Sequence, residues 1–432
     1  MSNNDDGLRH ELLMGLYTPA RREADGTLSL EMSSAGGVAL WLELFETVCV
    51  IVPLFPSADR VARDKVARHK APLTTWRRVD SIPGHDRLTV VALPWAFASR
   101  FAAARHAGAA RGTIREHVRR SRYVLATIGG FRGDWPGMVA DEARRMHHPY
   151  AVTADRVEDE VVRREARSLP ALRRMSRELM ARRMAAWHRR LITHADLVMC
   201  HGPTIYEAYS RLTPAAVSVY AGTLRDDDLM PPADVEAKAA RLAASGPDAP
   251  RRIVYAGRTA EMKGPLDWVT TLARLRAPDA GGAALDFTAC WYGDGPQQGA
   301  LREALEAQGL ADIVEAPGFV DRGRIMDDLS RADLFVFCHK TPESPRNVIE
   351  AMARAAPAVG YSDPYVREVT QAAGLLTPAH DPASLAAAIT TLARDPGRLA
   401  AMARAARAQA ERFTARPNFA ERARLLREAL GR

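Results

Sequence analysis

Short apolar runs alternate with amphipathic segments along most of this chain. The runs are four to seven residues long, which suits buried strands. The segments between them repeat their apolar positions at the spacing of a helix with one buried face. Strand and helix patterns in alternation predict a parallel α/β sheet. The main strands predicted in this way are 11–17, 48–52, 88–93, 123–128, 149–153, 197–200, 252–256, 286–292, 334–338 and 358–361.

The chain is long enough for two hydrophobic cores. At 432 residues it exceeds one ordinary domain, and the stretches 230–232 and 245–250 have the proline-rich composition of linkers. We therefore predict one domain at 1–235 and a second at 236–412.

Composition narrows the class of protein. With 47% hydrophobic and 26% charged residues the chain is typical of a soluble globular protein, and its net charge of +8 favours anionic partners. The four cysteines form no Cys-x-x-Cys pair, which predicts neither a zinc site nor a disulfide framework. The N-terminus has no signal segment, and the most apolar window contains Glu43 and Glu46. We therefore expect a cytoplasmic protein without a membrane span.

A pair of glycines, Gly36 and Gly37, precedes a predicted helix at 38–46. Glycines at a strand-to-helix turn allow the backbone to approach a ligand closely. A flexible surface loop is the alternative interpretation.

Two segments of the first domain are strongly basic. Residues 100–122 hold seven arginines and one acid, and residues 160–190 hold ten arginines and three acids, with an apolar stripe among them. A basic amphipathic helix can lie on an anionic membrane surface. Alternatively the apolar stripe packs on the sheet and the arginines are solvated. Nucleic acid is not expected as a partner, because aromatic residues are only 6% of the chain and no binding motif accompanies the arginines.

Two loops of the second domain have features that suit a diphosphate. Arg258 and Lys263 lie between a predicted strand and a helix that begins at Pro265. Two fixed cations together with the free N–H groups of a helix start can bind such a group.

The second loop, after the predicted strand 334–338, carries two carboxylates. Glu343 lies in the loop, Ser344 is the predicted N-cap, Pro345 is the predicted first helical residue, and Glu350 lies on the helix. Alternatively, Glu343 is an exposed acid and Glu350 lies within a surface salt-bridge stripe formed with Arg346 and Arg354. The acidic run 226–228 is interpreted as an exposed turn rather than a metal site.

Five short segments of the second domain follow one another in an order and at a spacing that are typical of one protein family. They are Gly257–Gly264, Gly293–Pro296, Gly318–Val320, Ala332–Val336 and Glu343–Ala353. Together they resemble the C-terminal domain of the family 4 retaining glycosyltransferases of the GT-B fold, over residues 252–390.

This resemblance implies the GT-B architecture, in which two Rossmann-like domains face each other across a cleft. A C-terminal helix at 413–432 would cross back to the first domain. The implied reaction moves a hexose from a nucleotide diphosphate sugar to an acceptor with retention. No metal and no cofactor other than the donor substrate is expected.

Site residues follow from the same resemblance. Arg258 and Lys263 would stabilise the departing diphosphate, Glu343 would contact the donor sugar, and Glu350 would bind the ribose. Arg132 and Asp134 are candidates in a loop of the first domain, and no nucleophile is identified. The remaining expected donor contacts are Gly36, Gly37, Ser344, Arg346, Asn347 and Val348.

The expected acceptor is a saccharide or a polyprenyl-diphosphate-linked saccharide of exopolysaccharide or cell-envelope synthesis, with a small soluble acceptor as the alternative. Peripheral contact with the inner face of the cell membrane would accompany the lipid-linked acceptor.

Other functions are compatible with parts of the sequence. Residues 293–299 partly match a dinucleotide fingerprint, with Glu315 downstream, as in an NAD-dependent oxidoreductase. That interpretation leaves Arg258 and Lys263 without a role. An epimerase or a non-catalytic nucleotide-sugar-binding homologue could share the two-domain fold.

Overall fold

A computed structural model gives the structure of the protein at residues 10–57, 61, 75–96, 100–131, 133–167, 169–220, 222, 224–277, 284–341 and 345–431. The chain folds into two compact units. The first unit comprises Met1–Tyr220 and Phe419–Arg432, and the second comprises Ala221–Asn418.

The units differ from the predicted domains at their edges, since residues 221–235 and 413–418 group with the second unit. For residues 221–235, a backbone hydrogen bond explains the difference. The Met230 N–H donates to the Ala353 carbonyl at 2.9 Å, so the proline-rich stretch packs on the second unit instead of linking two domains freely.

The described part of the first unit contains ten strands: β1 (His10–Gly15), β2 (Ala20–Arg22), β3 (Leu28–Glu31), β4 (Val48–Pro53), β5 (Trp76–Arg78), β6 (Leu88–Leu93), β7 (Ser121–Thr127), β8 (Ala151–Ala154), β9 (Leu197–His201) and β10 (Ala216–Val219). Seven of them form a parallel sheet in the order β10-β9-β8-β7-β1-β4-β6. Every residue of β4 is buried, as expected for a central parallel strand covered on both faces. The other three, β2, β3 and β5, form a small antiparallel sheet, and none of them was among the predicted strands.

The helices of this unit are α1 (Met32–Leu44), α2 (Arg100–Arg119), α3 (Trp135–Arg145), α4 (Glu158–Ala166), α5 (Ala171–Thr193) and α6 (Pro203–Ser210). Their apolar faces cover the sheet. Ile114 of α2, Val139 of α3 and Leu191 of α5 belong to one core cluster with the strands.

The second unit is a six-stranded parallel sheet in the order β13-β12-β11-β14-β15-β16. Its strands are β11 (Arg251–Ala256), β12 (Phe287–Tyr292), β13 (Val314–Gly318), β14 (Leu334–Phe337), β15 (Ala358–Tyr361) and β16 (Gly374–Thr377). Its helices are α7 (Pro232–Ala244), α8 (Pro265–Arg276), α9 (Gln298–Ala307), α10 (Arg322–Arg331), α11 (Arg346–Ala353), α12 (Pro364–Thr370), α13 (Pro382–Ala393) and α14 (Pro396–Ala410).

The last helix, α15 (Ala415–Leu430), begins in the second unit and ends in the first. Within the first unit it packs on α1, where the Phe419 ring lies 5.2 Å from the Trp41 ring. The Arg422 guanidinium stacks 3.9 Å from the centre of the Phe419 ring. The Arg427 guanidinium donates to the Leu44 carbonyl. These contacts make α15 part of the first unit's core.

The two parallel α/β sheets confirm the predicted fold class. Among the described residues, no helix is long and apolar enough to cross a membrane.

Candidate functional site

The second unit changes its direction of winding between β11 and β14. β11 is the first strand of its sheet in chain order, and it lies between β12 on one side and β14 on the other. At such a switch point the loops that follow the two strands diverge and leave a crevice at the carboxyl edge of the sheet. The loop that carries Arg258 and Lys263 follows β11, and the loop 338–345 follows β14.

Backbone contacts hold these two loops together. The Lys340 N–H donates to the Met262 carbonyl at 2.8 Å. Gly264 has a φ of 65°, and a Cβ atom there would lie 2.2 Å from the Cys338 carbonyl oxygen. Glycine is therefore required at the start of α8, because both the conformation and the space exclude a side chain.

The loop after β12 packs equally closely on the loop after β11. A Cβ atom at Gly293 would lie 2.1 Å from the Gly257 carbonyl oxygen, and one at Gly295 would lie 2.3 Å from the Thr259 carbonyl oxygen. The Thr259 hydroxyl donates to the Gly293 carbonyl at 2.9 Å. Gly293 and Gly295 of the partial dinucleotide fingerprint thus have a packing role, whereas a Cβ atom at Gly299 would meet open space.

The two predicted cations differ in their surroundings. Arg258 is exposed, and within the described part of the chain its guanidinium makes no hydrogen bond or ion pair. Lys263 is half-buried in the short 3₁₀ helix Glu261–Lys263. Burial lowers the pKa of His339, and the charge of Lys263 adds to that effect.

His339 was not identified from the sequence. Its side chain is only 3% exposed, and its Nε2 atom lies 3.3 Å from the Tyr255 hydroxyl and 3.4 Å from Asn347 Nδ2. Burial, followed by the charge of Lys263, holds its pKa well below the usual value. We conclude that His339 is a neutral imidazole at physiological pH.

The start of α11 is anchored to β11. Asn347 Nδ2 donates to the Ala256 carbonyl at 2.8 Å, and the Val348 N–H donates to Asn347 Oδ1 at 3.0 Å. The Val348 side chain is buried, whereas Arg346 is exposed. Pro345 is the N-cap rather than the predicted first helical residue. Glu343 and Ser344 lie outside the described residues.

Glu350 does not form the surface stripe given as the alternative. Its Oε1 atom accepts from Arg322, with Nη2 at 3.1 Å. Among the described residues it forms an ion pair with neither Arg346 nor Arg354. Burial raises the pKa of Glu350, and Arg322 opposes that rise.

Arg322 is held in turn by Asp228, whose Oδ1 atom lies 2.6 Å from Nη1. Asp228 is only 2% exposed, so the prediction of an exposed acidic turn is wrong for this residue. Asp226 and Asp227 are exposed as predicted. An Asp228–Arg322–Glu350 chain, defined by these contacts, therefore holds the half-buried Glu350 in place on α11.

Gly36 and Gly37 do not form the predicted loop, because both lie inside α1. The helix begins earlier because the Glu31 side chain accepts from the Ser34 N–H and caps its first turn. A Cβ atom at Gly36 would meet open space, and one at Gly37 would lie 3.6 Å from Phe419.

The first unit has its own switch point, between β1 and β7. Asp134 caps α3 in the loop that follows β7, accepting from the Gly137 N–H at 3.0 Å. Burial raises the pKa of Asp134, and His188 on α5 opposes that rise. His188 Nε2 lies 2.8 Å from the Gly130 carbonyl, so α5 supplies a second buried polar group to this loop. Arg132 lies outside the described residues.

Helix α5 covers most of the second basic segment, and its two halves differ in burial. Near its C-terminal end Met184 and Leu191 are buried. Toward its N-terminal end, Leu172, Met175 and Leu179 are exposed by 80%, 69% and 52%. The helix contains seven arginines and one acid. Its first half thus presents apolar side chains and arginines to solvent.

The first basic segment has a structural role. In α2, Arg111 Nη1 lies 2.5 Å and Arg115 Nη2 lies 2.9 Å from the carboxylate of Glu142, which is buried on α3. These ion pairs attach α2 to α3.

The second unit is similar in sequence to a known protein family. Residues 250–395 match the family model described as Glycosyl transferases group 1. A curated 2-deoxystreptamine N-acetyl-D-glucosaminyltransferase of Streptomyces fradiae is 31% identical over 213 residues, which are 48% of this chain and 49% of that protein. The alignment thus spans about half the length of this curated relative.

Solved structures are similar over nearly the whole chain. The Anabaena protein HepE in complex with UDP has a TM-score of 0.64 and 16% identity, covering 97% of this chain and 100% of that chain. Sucrose-phosphate synthase of Thermosynechococcus elongatus has a TM-score of 0.63 and 16% identity, covering 97% and 98%. At this identity the likeness establishes the fold, which is GT-B.

Proposed function

We propose that the protein is a retaining glycosyltransferase of the family 4 type, which moves a hexose from a nucleotide diphosphate sugar to a saccharide or lipid-linked acceptor. The observation that carries the proposal is the arrangement at the β11–β14 switch point. Exposed Arg258, half-buried Lys263 and the anchored Glu350 lie on the loops and the helix that follow these two strands.

The chemistry explains the need for cations there. The bond between the anomeric carbon and the diphosphate oxygen breaks, and a bond from the same carbon to the acceptor oxygen forms. The acceptor hydroxyl releases its proton to a phosphate oxygen of the leaving group or to solvent, and the departing diphosphate gains negative charge. Arg258, Lys263 and the N–H groups at the start of α11 would stabilise that charge without a metal.

Glu350 would accept hydrogen bonds from the ribose hydroxyls. A carboxylate that is already held by Arg322 loses little side-chain freedom when the nucleoside binds. Neutral His339 would give the donor pocket a polar wall without repelling cations. Glu343, by the family resemblance, would contact hydroxyls of the donor sugar.

Relatives suggest the first substrates to test. The Streptomyces relative is named for transfer of N-acetylglucosamine to 2-deoxystreptamine, and HepE has been crystallised with UDP-glucose. UDP-sugars are therefore the leading donors for this chain. A lipid-diphosphate-linked saccharide of exopolysaccharide or envelope synthesis is the proposed acceptor, and a small soluble acceptor such as an aminocyclitol is the second candidate.

The lipid-linked acceptor is favoured by α5. Its exposed Leu172, Met175 and Leu179 lie among arginines, and this combination suits the surface of an anionic bilayer. Peripheral binding at the inner face of the membrane would bring the enzyme to an acceptor held in the lipid.

The decisive experiment is a thermal-shift panel of nucleotide diphosphate sugars, followed by product analysis with the donor that binds. A donor that binds only the folded protein stabilises it by about 2.7 kcal/mol at a hundred times its dissociation constant. Transfer with an unchanged anomeric configuration supports the proposal. Four other results would contradict the proposal. Inverted configuration would indicate an inverting transferase, and an epimerised donor would indicate an epimerase. A redox change of NAD would indicate an oxidoreductase, and binding without turnover would indicate a non-catalytic binding protein.

A further inference from the structure

Three side chains with metal-binding atoms meet at the amino-terminal end of the first unit's sheet. His10 is the first residue of β1, Cys49 is the second residue of β4, and His117 lies in the last turn of α2. His10 and Cys49 are buried and His117 is half-buried. The loop with Asp134 follows the carboxyl end of β7, so this cluster lies at the opposite edge of the same parallel sheet.

The spacing of the ligand atoms suits a tetrahedral ion. His117 Nδ1 lies 3.3 Å from His10 Nε2 and 3.7 Å from Cys49 Sγ, and all three atoms lie within 4.8 Å of one another. Around a tetrahedral Zn²⁺, with Zn–N near 2.0–2.1 Å and Zn–S near 2.3 Å, two nitrogens are about 3.3 Å apart and a nitrogen and a sulfur about 3.6 Å apart.

We propose that His10, Cys49 and His117 form a zinc-binding site. One thiolate and two imidazoles are ligands that select zinc or copper over magnesium, manganese or calcium. Binding forms one Zn–S bond and two Zn–N bonds, and it releases the Cys49 thiol proton to solvent. Three protein ligands leave the fourth position for a water molecule.

The role that fits this position is structural. The ion would connect β1, β4 and α2, which lie far apart in the sequence, since His10 and His117 are 107 positions apart. Its loss should lower the melting temperature of the protein and leave turnover at low temperature unchanged. This inference is independent of the proposed glycosyl transfer.

A hydrogen-bonded chain of two imidazoles and a thiol would show similar distances without a metal, so the test must detect the metal itself. Full-length protein without a histidine tag is purified without chelator and analysed for bound metals. We expect about one zinc per chain. After chelation, added Co²⁺ should give the charge-transfer absorption of a cobalt–thiolate bond.

Variants identify the ligands. Cys49→Ser and His117→Gln should weaken zinc binding by more than about tenfold, since even loss of an outer-shell partner costs 10–100-fold. Cys200→Ser is the matched control, because Cys200 is also a buried cysteine of this sheet, on β9. It should bind zinc as the wild type does.

Wild-type protein that contains no zinc and gives no cobalt–thiolate absorption would overturn the proposal, and this result does not depend on any variant folding. Zinc that is retained in full by both Cys49→Ser and His117→Gln would overturn it as well, because the ion would then be bound elsewhere.

Discussion

Arg322 donates to Glu350, with Nη2 lying 3.1 Å from Oε1. The same guanidinium binds the buried carboxylate of Asp228 through Nη1, at 2.6 Å. Arg322 therefore connects a buried acid to the acid proposed to bind the ribose. In the proposed reaction Arg322 is a positioning residue, since it would act on the donor through Glu350.

The first prediction concerns this chain of contacts. Arg322→Gln and Glu350→Gln should each raise the donor KM by about tenfold with little change in kcat, because ribose binding is similar in the ground and transition states. The double variant should lose less than the sum of the two single effects, since both act on one interaction. Initial-rate kinetics against donor concentration measures this, with exposed Arg302→Gln as the control. Additive effects would mean that Arg322 acts separately from Glu350.

The second prediction concerns the diphosphate. Arg258→Ala or Lys263→Ala should lower kcat by about 10²–10³-fold, as loss of a donor to a developing charge does in other enzymes. Rates with and without added Mg²⁺ or Mn²⁺ should be equal for the wild type. Arg258→Ala should melt at the wild-type temperature, because its side chain is exposed and contacts no hydrogen-bonding or charged partner among the described residues. Near-wild-type kcat in both variants would show that their loop is structural.

The third prediction concerns the membrane. Reversing four arginines of α5 to glutamate should abolish binding to vesicles that contain anionic lipid, because each basic residue near such a surface contributes about 1 kcal/mol. The four are Arg173, Arg174, Arg182 and Arg183. Vesicle co-sedimentation is the measurement.

A control with the same change of net charge reverses four exposed arginines elsewhere. These are Arg22, Arg122, Arg302 and Arg398. The control should still bind. If wild-type protein does not bind anionic vesicles, the stripe of Leu172, Met175 and Leu179 is not a membrane-binding surface.

The fourth prediction concerns pH and stability. Lys238 on α7 is buried and donates to the Leu329 and Arg354 carbonyls at 3.2 and 3.0 Å. Burial lowers its pKa from 10.5 to about 7. Between these values the unfolded chain holds a proton that the folded chain has released, so the free energy of unfolding rises with pH. The slope is up to about 1.4 kcal/mol per pH unit.

Lys238→Met should remove this contribution, so its melting temperature should rise less than that of the wild type between pH 7 and pH 9. Arg302→Met removes an exposed cation and should keep the wild-type dependence. Parallel curves for wild type and Lys238→Met would show that Lys238 keeps its ordinary pKa in the folded protein.

The fifth prediction is that alanine has opposite effects on stability at two glycine positions. Gly264→Ala should destabilise the protein by more than about 2 kcal/mol, because its left-handed backbone and the contact with Cys338 both exclude a methyl group. Gly36→Ala should stabilise it by about 0.5–1 kcal/mol, since Gly36 lies in a helix with open space around it. Thermal or urea unfolding measures both. A stabilising Gly264→Ala would contradict the close packing of the two loops.

The alternation of apolar and amphipathic segments was sufficient to predict ten strands of the two parallel sheets, but β10, β13 and β16 were not among them. Central strands such as β4 are buried along their whole length, so their sequences are continuous apolar runs. The strands β2, β3 and β5 could not be predicted in the same way. They are three or four residues long, and Arg21, Arg22, Arg77 and Arg78 interrupt their apolar pattern.

The position of a site residue could be predicted where neighbouring residues in the sequence indicate its place in the fold. Arg258 and Lys263 lie on a loop between a clear strand and a clear helix. The link from Arg322 to Asp228 joins residues 94 positions apart, and nothing near either residue in the sequence indicates it. Two adjacent glycines are more typical of a loop than of a helix, so the capping of α1 by Glu31 had to be seen in the structure.

The packing of α15 on α1 has a consequence for how the protein is made. Trp41 and Phe419 belong to one core but are encoded near opposite ends of the chain. On the ribosome, the first unit therefore emerges with one apolar surface uncovered, and that surface stays uncovered while the whole second unit is synthesised. The first unit can complete its core only when the residues after 418 have left the exit tunnel, so a chaperone that shields the Trp41 surface would act during that interval.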